Sequence, residues 1–478
     1  FVTDEFGANN LGAGESLRPS DVWSGKNMNK LISFFGRVNY SLKDKYVVTA
    51  SLRRDGSSKF GKNHQWGTFP SVSAAWHVSD ETFMSGATFL DDLKFRVGYG
   101  ISGNQDGLSP YKSLELYGTS GQFYDNGSWY QAYQISQNAN PNLKWEETEQ
   151  TNFGLDFGFA NNRITGEIDY YVKKTKDLLF FTRVPFEAQL PSARVLQNIG
   201  NLENSGFEFV LNTTNIQTED LTWKTSFNIA TNKNEVTSLP NAEDQITGRD
   251  IVREGKPINS FYMVEHAGVN AQTGDAEFVL NTENADGTLN KGVTNDFSQA
   301  ERVVVGNPNP DIIGGFSSTL NYKTIDFSFT FQGQWGGQLY NNAGQYQETG
   351  FGNGLDNQDE YIYNNRWQNP GDITDIPQAR LFENNWHSTS TRYLQDADFI
   401  RLRNLTLGYS LPNQALERLG MSRIRVYFSG LNLLTFTDYR GYDPESSNDD
   451  GNTNTNVGST FYSAPPAKVY TIGLNLSF

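Results

Sequence analysis

Apolar and polar residues alternate with a period of two along much of this chain. In 325–332, Ile325, Phe327, Phe329 and Phe331 share one face, and Asp326, Ser328, Thr330 and Gln332 share the other. Leu93, Phe95, Val97, Tyr99 and Ile101 likewise oppose Lys94, Arg96, Gly98, Gly100 and Ser102. Phe153, Leu155, Phe157 and Phe159 oppose Asn152, Gly154, Asp156 and Gly158. Successive side chains of a strand point to opposite faces, so each segment is a strand with one oily and one wet side. The last eleven residues make the same pattern, with Tyr470, Ile472, Leu474, Leu476 and Phe478 on one face. A strand crosses a bilayer in about 9–11 residues, which is the length of this segment.

The alternation predicts about thirteen strands, near 31–42, 45–54, 69–78, 92–102, 147–159, 163–173, 206–216, 221–232, 311–322, 324–335, 399–411, 423–433 and 468–478. Very short turns at Lys43–Asp44, Asn161–Asn162, 217–220 and Lys323 alternate with long segments such as 233–310 and 336–398. Short turns at one end and long loops at the other are the pattern of a membrane β-barrel with periplasmic turns and extracellular loops. Tyr40, Tyr46, Tyr322 and Tyr409 lie beside short turns, where an interfacial aromatic girdle belongs. Two places break phase. Arg401 and Arg403 share parity with Leu405 and Leu407, which reads as a strand rising above the hydrocarbon, and Ser429–Gly430 reads as a bulge. Single-chain bacterial barrels close with an even number of strands. An odd count, and a loop-like stretch over residues 1–30, predict that residues 31–478 are the C-terminal part of a larger barrel.

Composition narrows the classes. Mean hydropathy is −0.57 and no run of eighteen apolar residues occurs, so no helix in the sequence spans a membrane. A barrel tolerates such polarity because only alternate strand residues meet lipid. A net charge of −16 argues against nucleic acid as a partner. The chain has no Cys, which excludes disulfides and thiolate metal sites, and its four His are scattered without metal-ligand spacing.

Several segments carry a resemblance. They are Ser51-Leu-Arg-Arg-Asp-Gly-Ser-Ser-Lys-Phe-Gly61, Trp66-Gly-Thr-Phe-Pro-Ser-Val-Ser-Ala-Ala-Trp76, Asn140-Pro-Asn-Leu-Lys-Trp-Glu-Glu147 and Asn198-Ile-Gly-Asn-Leu-Glu-Asn-Ser-Gly-Phe-Glu208. Further on come Gly306-Asn-Pro-Asn-Pro310, Asp398-Phe-Ile-Arg-Leu-Arg-Asn-Leu-Thr-Leu-Gly-Tyr-Ser-Leu-Pro412 and Gly430-Leu-Asn-Leu-Leu434. In this order and across nearly the whole chain they resemble the SusC/RagA family of TonB-dependent outer-membrane transporters. The resemblance implies an all-β transmembrane antiparallel barrel of about 22 strands, whose lumen is filled by an N-terminal plug. It also implies a SusD-like surface lipoprotein as lid, TonB acting through the plug, a lipid and lipopolysaccharide environment, and import of oligosaccharides or oligopeptides. The plug and the early strands have no counterpart in these residues. The closing Phe478 is, by the same resemblance, a signal for barrel assembly.

The candidate functional residues follow from that frame. Loop aromatics Trp129, Tyr130, Tyr340, Tyr346, Trp367 and Trp386 suit stacking on sugars or contact with a lid, against the alternative that they form small cores within the loops. Arg37, Arg53, Arg96 and Lys224 fall on the wet face, where plug carboxylates or a substrate would meet them. The acidic tract holding Asp443, Asp449 and Asp450 offers oxygen ligands of the kind Ca²⁺ takes, without EF-hand spacing, so a solvated loop is the simpler reading. No other cofactor is expected. Gly98, Gly100 and Gly103 match G-x-G-x-x-G but lack the following helix of a dinucleotide site. No Gly-x-Ser-x-Gly elbow is present, and no residue suggests catalysis. Two other readings remain open at this point. A siderophore or cobalamin receptor would work without a lid, and a β-rich surface adhesin would be soluble without detergent.

Overall fold

The structure, a computed structural model, describes residues 25–106, 108–183, 194–351, 354, 356–382, 388–412, 416, 421–447 and 457–478. Its frame is one antiparallel sheet with thirteen strands in chain order. They are β1 (Leu31–Leu42), β2 (Tyr46–Ser57), β3 (Trp66–His77), β4 (Leu90–Asn104), β5 (Glu146–Phe159), β6 (Ile164–Lys176) and β7 (Asn201–Gln217). Then come β8 (Leu221–Thr231), β9 (Ile312–Tyr322), β10 (Ile325–Trp335), β11 (Phe399–Ser410), β12 (Arg423–Phe436) and β13 (Val469–Ser477). A fourteenth strand, Lys233–Ser238, pairs with the first residues of β7. Among the described residues β1 pairs only with β2, and β13 only with β12.

Turn chemistry sets the register. Lys43 and Asp44 both take positive φ in the β1–β2 turn, Asn161 and Asn162 do so between β5 and β6, and Lys323 does so between β9 and β10. Such φ values match the right-handed twist of a tight hairpin, and Asn and Asp tolerate them better than most residues. The β3–β4 connection is longer and is held by Glu81. Its carboxylate accepts hydrogen bonds from the Tyr46 hydroxyl at 2.5 Å, Trp76 Nε1 at 3.2 Å and Lys45 Nζ at 3.3 Å. The Tyr46 bond, with Trp76 behind it, holds the Glu81 carboxyl below the usual range. The girdle residue Tyr46 and the neighbouring Trp76 are thus tied to this turn.

The two faces of the sheet differ as the alternation predicts. Outward lie Phe34, Val38 and Tyr40 on β1, Phe95 and Val97 on β4, and Tyr470, Ile472 and Leu474 on β13, all exposed, Ile472 by 82%. The inward face is a polar fabric across strands. Ser51 meets Ser71 at 2.6 Å, Thr148 meets Thr175 at 2.9 Å, and Ser317 meets Thr330 at 2.9 Å. Two inward cations lie flat against glycines. Arg96 bonds Asp156 at 2.7 Å and Asp169 at 2.9 Å across Gly154, where a Cβ would stand 2.7 Å from the guanidinium carbon. Arg425 reaches Asp326 at 2.8 Å across Gly408 in the same way.

The phase breaks differ from expectation. The β10–β11 and β11–β12 registers both shift near Arg403, which is left out of the β11–β12 ladder together with Asn432 and Leu433. One extra residue inverts every later side chain of a strand. Arg401 therefore faces inward beside Gln332, and the parity break is a bulge at Arg403. Ser429 and Gly430 remain in register with Thr406 and Leu405; the irregularity lies two residues beyond them.

Candidate functional site

The long connections all stand at the end of the sheet opposite the tight turns, and three of them form a common body. Gln338–Asn341 pairs with Leu394–Asp396 and, in parallel, with Ser459–Thr460, which joins the loops that follow β10 and β12. Phe261 and Met263, from the loop after β8, pack on Tyr340 and Tyr393, and all four side chains are fully buried. Trp367 donates from Nε1 to the Ala271 carbonyl at 2.9 Å, another link between loops. A second core, of Phe60, Phe69, Leu108, Leu143 and Trp145, seats the loops between β2 and β5. Gly103 makes room for the Phe69 ring there: a Cβ would sit 2.1 Å from its Cζ.

An ion cluster fastens the loop body to the wall. Arg401, 1% exposed, donates to Asp443 at 2.5 Å and contacts Glu445 at 3.1 Å, while Arg403 pairs with Glu445 from the bulge. A buried guanidinium is tolerable only with such partners. The parity break at Arg401 was the signal in the sequence for this contact, although its partner lies forty-two residues away.

These contacts relocate several expected site residues. Tyr340 and Trp367 are interior to the loop body, so neither is available to a ligand or a lid. Tyr346 is half-buried, its ring 5.6 Å from Phe461. Trp129 and Tyr130 stand exposed on the hairpin of Leu116–Asp125 and Ser128–Gln137, with Tyr117, Tyr124 and Tyr133 also exposed. Trp386 lies outside the described residues. Arg96 is paired within the wall, and Arg53 bonds Asp55 at 2.7 Å, so a plug is not needed to neutralise either. Arg37 and Lys224 face inward opposite Ser51 and Thr319, with no ion pair among the described residues. Asp443 is taken up by Arg401 and is not a free calcium ligand; Asp449 and Asp450 lie outside the described residues. Among the described residues no group of three or more His, Asp or Glu is arranged around a metal. Phe478 ends β13 with its side chain exposed.

Three buried acids and bases were not foreseen. Asp250, 3% exposed, has Oδ1 without a hydrogen-bond donor, and burial raises its carboxyl to about 7. His266 is lowered to about 4 by burial, with the Arg392 charge adding to the effect. Burial also raises Glu348, which lines a polar cavity of about 320 Å³ between the loops after β10 and β12. Asn341, Gln347, Glu360, Tyr442 and Tyr462 line it too, and its Asp443 is the partner of inward-facing Arg401, so the cavity borders the barrel mouth.

A sheet oily outside and polar inside, with tight turns at one end and a packed loop body at the other, is the wall of an outer-membrane β-barrel. Residues 3–261 match the family model described as TonB dependent receptor-like, beta-barrel, and the chain belongs to that family. It is 37% identical to TonB-dependent receptor P3 of Formosa agariphila, over all of this chain and 48% of that protein. It is 34% identical to TonB-dependent receptor SusC of Bacteroides thetaiotaomicron, over 94% of this chain and 44% of that one. The solved RagAB peptide transporter superposes with a TM-score of 0.79 at 30% identity, over 94% of this chain and 48% of that chain. The chain thus spans about half the length of the curated relatives it matches. Its place is the bacterial outer membrane.

Two predictions follow from the charges. Arg401→Met leaves Asp443 buried without its cation, and loss of one partner of a buried pair costs about 3–5 kcal/mol. Hydrogen exchange of 437–447 in the full-length protein in detergent should accelerate strongly, and Arg401→Met with Asp443→Asn should recover much of the protection. Asp250 keeps a proton in the folded loop that the unfolded chain releases between about pH 4 and 7, so stability falls as pH rises through that window. His266 excludes a proton that the unfolded chain binds between about pH 4 and 6.5, which gives the opposite slope. Exchange protection of 245–266 should therefore change little from about pH 4.5 to 6 in the wild type. In Asp250→Asn it should rise over that range.

Proposed function

We propose that this chain is the wall and extracellular-loop portion of a SusC-like TonB-dependent transporter that imports oligosaccharides or oligopeptides. The observation that carries the reading is the joined loop body, fastened by Arg401 to the inner face of a barrel wall whose relatives include SusC. A plug and further strands, contributed by the rest of a longer protein, complete the barrel and give TonB its point of attachment. A SusD-like lipoprotein sits over the loops as a lid. The exposed aromatic hairpin carrying Trp129 and Tyr130 suits contact with that lid or with arriving substrate, since Trp and Tyr anchor interfaces well. Arg37 and Lys224, unpaired among the described inward residues, are suited to meet plug carboxylates. The chain has no catalytic role in this reading; substrate passes through chemically unchanged.

Mild detergent extraction of the native complex, with mass spectrometry of what co-purifies, tests this directly. The expected result is a surface lipoprotein, a plug-bearing sequence continuous with this chain, and nutrient uptake that stops when TonB is deleted. A chain recovered alone and soluble without detergent would overturn the reading in favour of an adhesin. A plug-bearing barrel with TonB-dependent uptake and no lipoprotein would instead indicate a lidless receptor.

A further inference from the structure

Charges on the lipid side of a barrel wall need an explanation. Two of them, Lys174 and Lys176, share the outward parity of Ile168 and Tyr170 on β6, and they meet Glu203 at 3.5 Å and Glu149 at 2.6 Å. Arg54 on β2 has no such partner. It stands opposite Phe34 and keeps the outward parity of Val48 and Leu52, all three exposed. Among the described residues its guanidinium makes no hydrogen bond and no ion pair. Its Cζ lies 5.6 Å from the centre of the Trp66 ring. That ring is pinned from two sides. It covers Gly56, where a Cβ would stand 2.8 Å from it, and it stacks on Phe34 with ring centres 6.2 Å apart.

The height of Arg54 in the membrane follows from the strand. From the girdle residue Tyr46 to Arg54, β2 runs about 26 Å, which is about 20 Å across the bilayer at a tilt of about 40°. The apolar band of such a barrel is about 25 Å tall, so Arg54 stands near its upper edge, at the headgroups of the outer leaflet. Phe34 and Trp66 form an aromatic girdle there, the counterpart of Tyr46 and Trp76 at the other interface. A lipid-facing Arg is costly at mid-bilayer and tolerable at this level, where its long stem stays in oil and its head reaches polar groups.

The surroundings are basic as well. Residues 25–76 carry nine Lys and Arg against two acids, Asp44 and Asp55, in a chain whose net charge is −16. Asp44 lies in the periplasmic turn, and Asp55 is taken up by Arg53. Lys30 continues the outward alternation of Ile32 and Phe34, its backbone still bonded to Ser58. Lys26 and Lys62 are exposed, and among the described residues neither they nor Lys30 make an ion pair. Positive charge therefore gathers at the extracellular end of β1–β3, and such a patch on a negative protein selects an anionic partner.

We infer that Arg54, with Trp66 and Lys30, is a docking site for the phosphate of an anionic lipid in the outer leaflet. The planar guanidinium donates two parallel N–H bonds to phosphate oxygens, a match that a lysine ammonium cannot make. Trp66 keeps the guanidinium at the membrane interface, and Lys30 adds charge above it. Below lie Leu52 and Val72, exposed and apolar, which suit acyl chains and offer an acidic soluble protein little to grip. The inference depends on the barrel and its membrane and not on what is transported, so its failure leaves the transporter reading untouched.

The test uses the full-length protein, stripped of lipid in neutral detergent and reconstituted in phosphatidylcholine nanodiscs doped with lipid A, the phosphorylated anchor of lipopolysaccharide. Native mass spectrometry reads the lipid A retained. The wild type should hold it about tenfold more strongly than Arg54→Gln does, and about tenfold more strongly than it holds the same lipid dephosphorylated. Arg54→Lys should recover only part of the loss. Lys323→Gln, in a turn at the periplasmic end, should change nothing. Arg54 is exposed, so the variant should fold, and heat-modifiable migration on a denaturing gel checks that it does. Equal retention by wild type and Arg54→Gln, or of phosphorylated and dephosphorylated lipid A, would overturn the site. Full displacement of lipid A by excess inorganic phosphate would also overturn it, leaving a phosphate site with no preference for lipid.

Discussion

Every backbone N–H and C=O that enters hydrocarbon must find a partner within the protein, because lipid offers none. Among the described residues each strand of the wall is paired to the next, from the β1–β2 pair to the β12–β13 pair. Once that ladder is imposed, side chains have only two directions to go. The period of two then sorts Phe, Ile and Leu toward lipid and Ser, Thr, Asn and Asp toward the lumen. The inward charges follow the same logic. Arg96 and Arg425 do not cross the lumen; each lies over a glycine and bonds carboxylates of neighbouring strands. A wall that neutralises these two cations itself keeps its interior polar without making it strongly basic.

Above the membrane the constraint relaxes, and ordinary burial takes over. The loops after β8 and β10 share a small core around Phe261, Met263, Tyr340 and Tyr393, and the loop after β12 joins them through Ser459–Thr460. That core is held to the barrel by charge: Arg401, turned inward by the bulge at Arg403, meets Asp443 and Glu445. A one-residue change of phase in β11 thereby converts a strand position into an anchor for a distant loop. The polar cavity exists because that anchor and the Gln338–Asn341 strand hold two loops at a set distance.

The wall was legible from alternation alone. All thirteen strands appear where period two places them, and several run further than foreseen: β7 begins at Asn201 and β12 continues to Phe436, since strands extend past the lipid into the loop body. What alternation cannot show is who meets whom across long separations. Tyr340 and Trp367 read as exposed loop aromatics, yet their environment is made by Phe261 and Ala271 from another loop. Arg401 stood out by parity, but only the fold reveals that Asp443 awaits it. The short strands 250–252 and 260–263 carry too few residues to show a period, and Glu348 sits in no motif at all. The same limit applied to function: the SusC-like segments indicated the family, while the chemistry of the mouth emerged only where the loops after β10 and β12 converge.

The central claim is that alternate residues of these strands see lipid and water. It is tested most directly by spin-label accessibility along β10 in the full-length protein reconstituted in bilayers. Labels at positions 327 and 329 should collide with oxygen dissolved in the hydrocarbon, and labels at 328 and 330 with a water-soluble nickel chelate, the preference switching at every step. Equal access of all four positions to the aqueous reagent would contradict the barrel and the transporter account built on it.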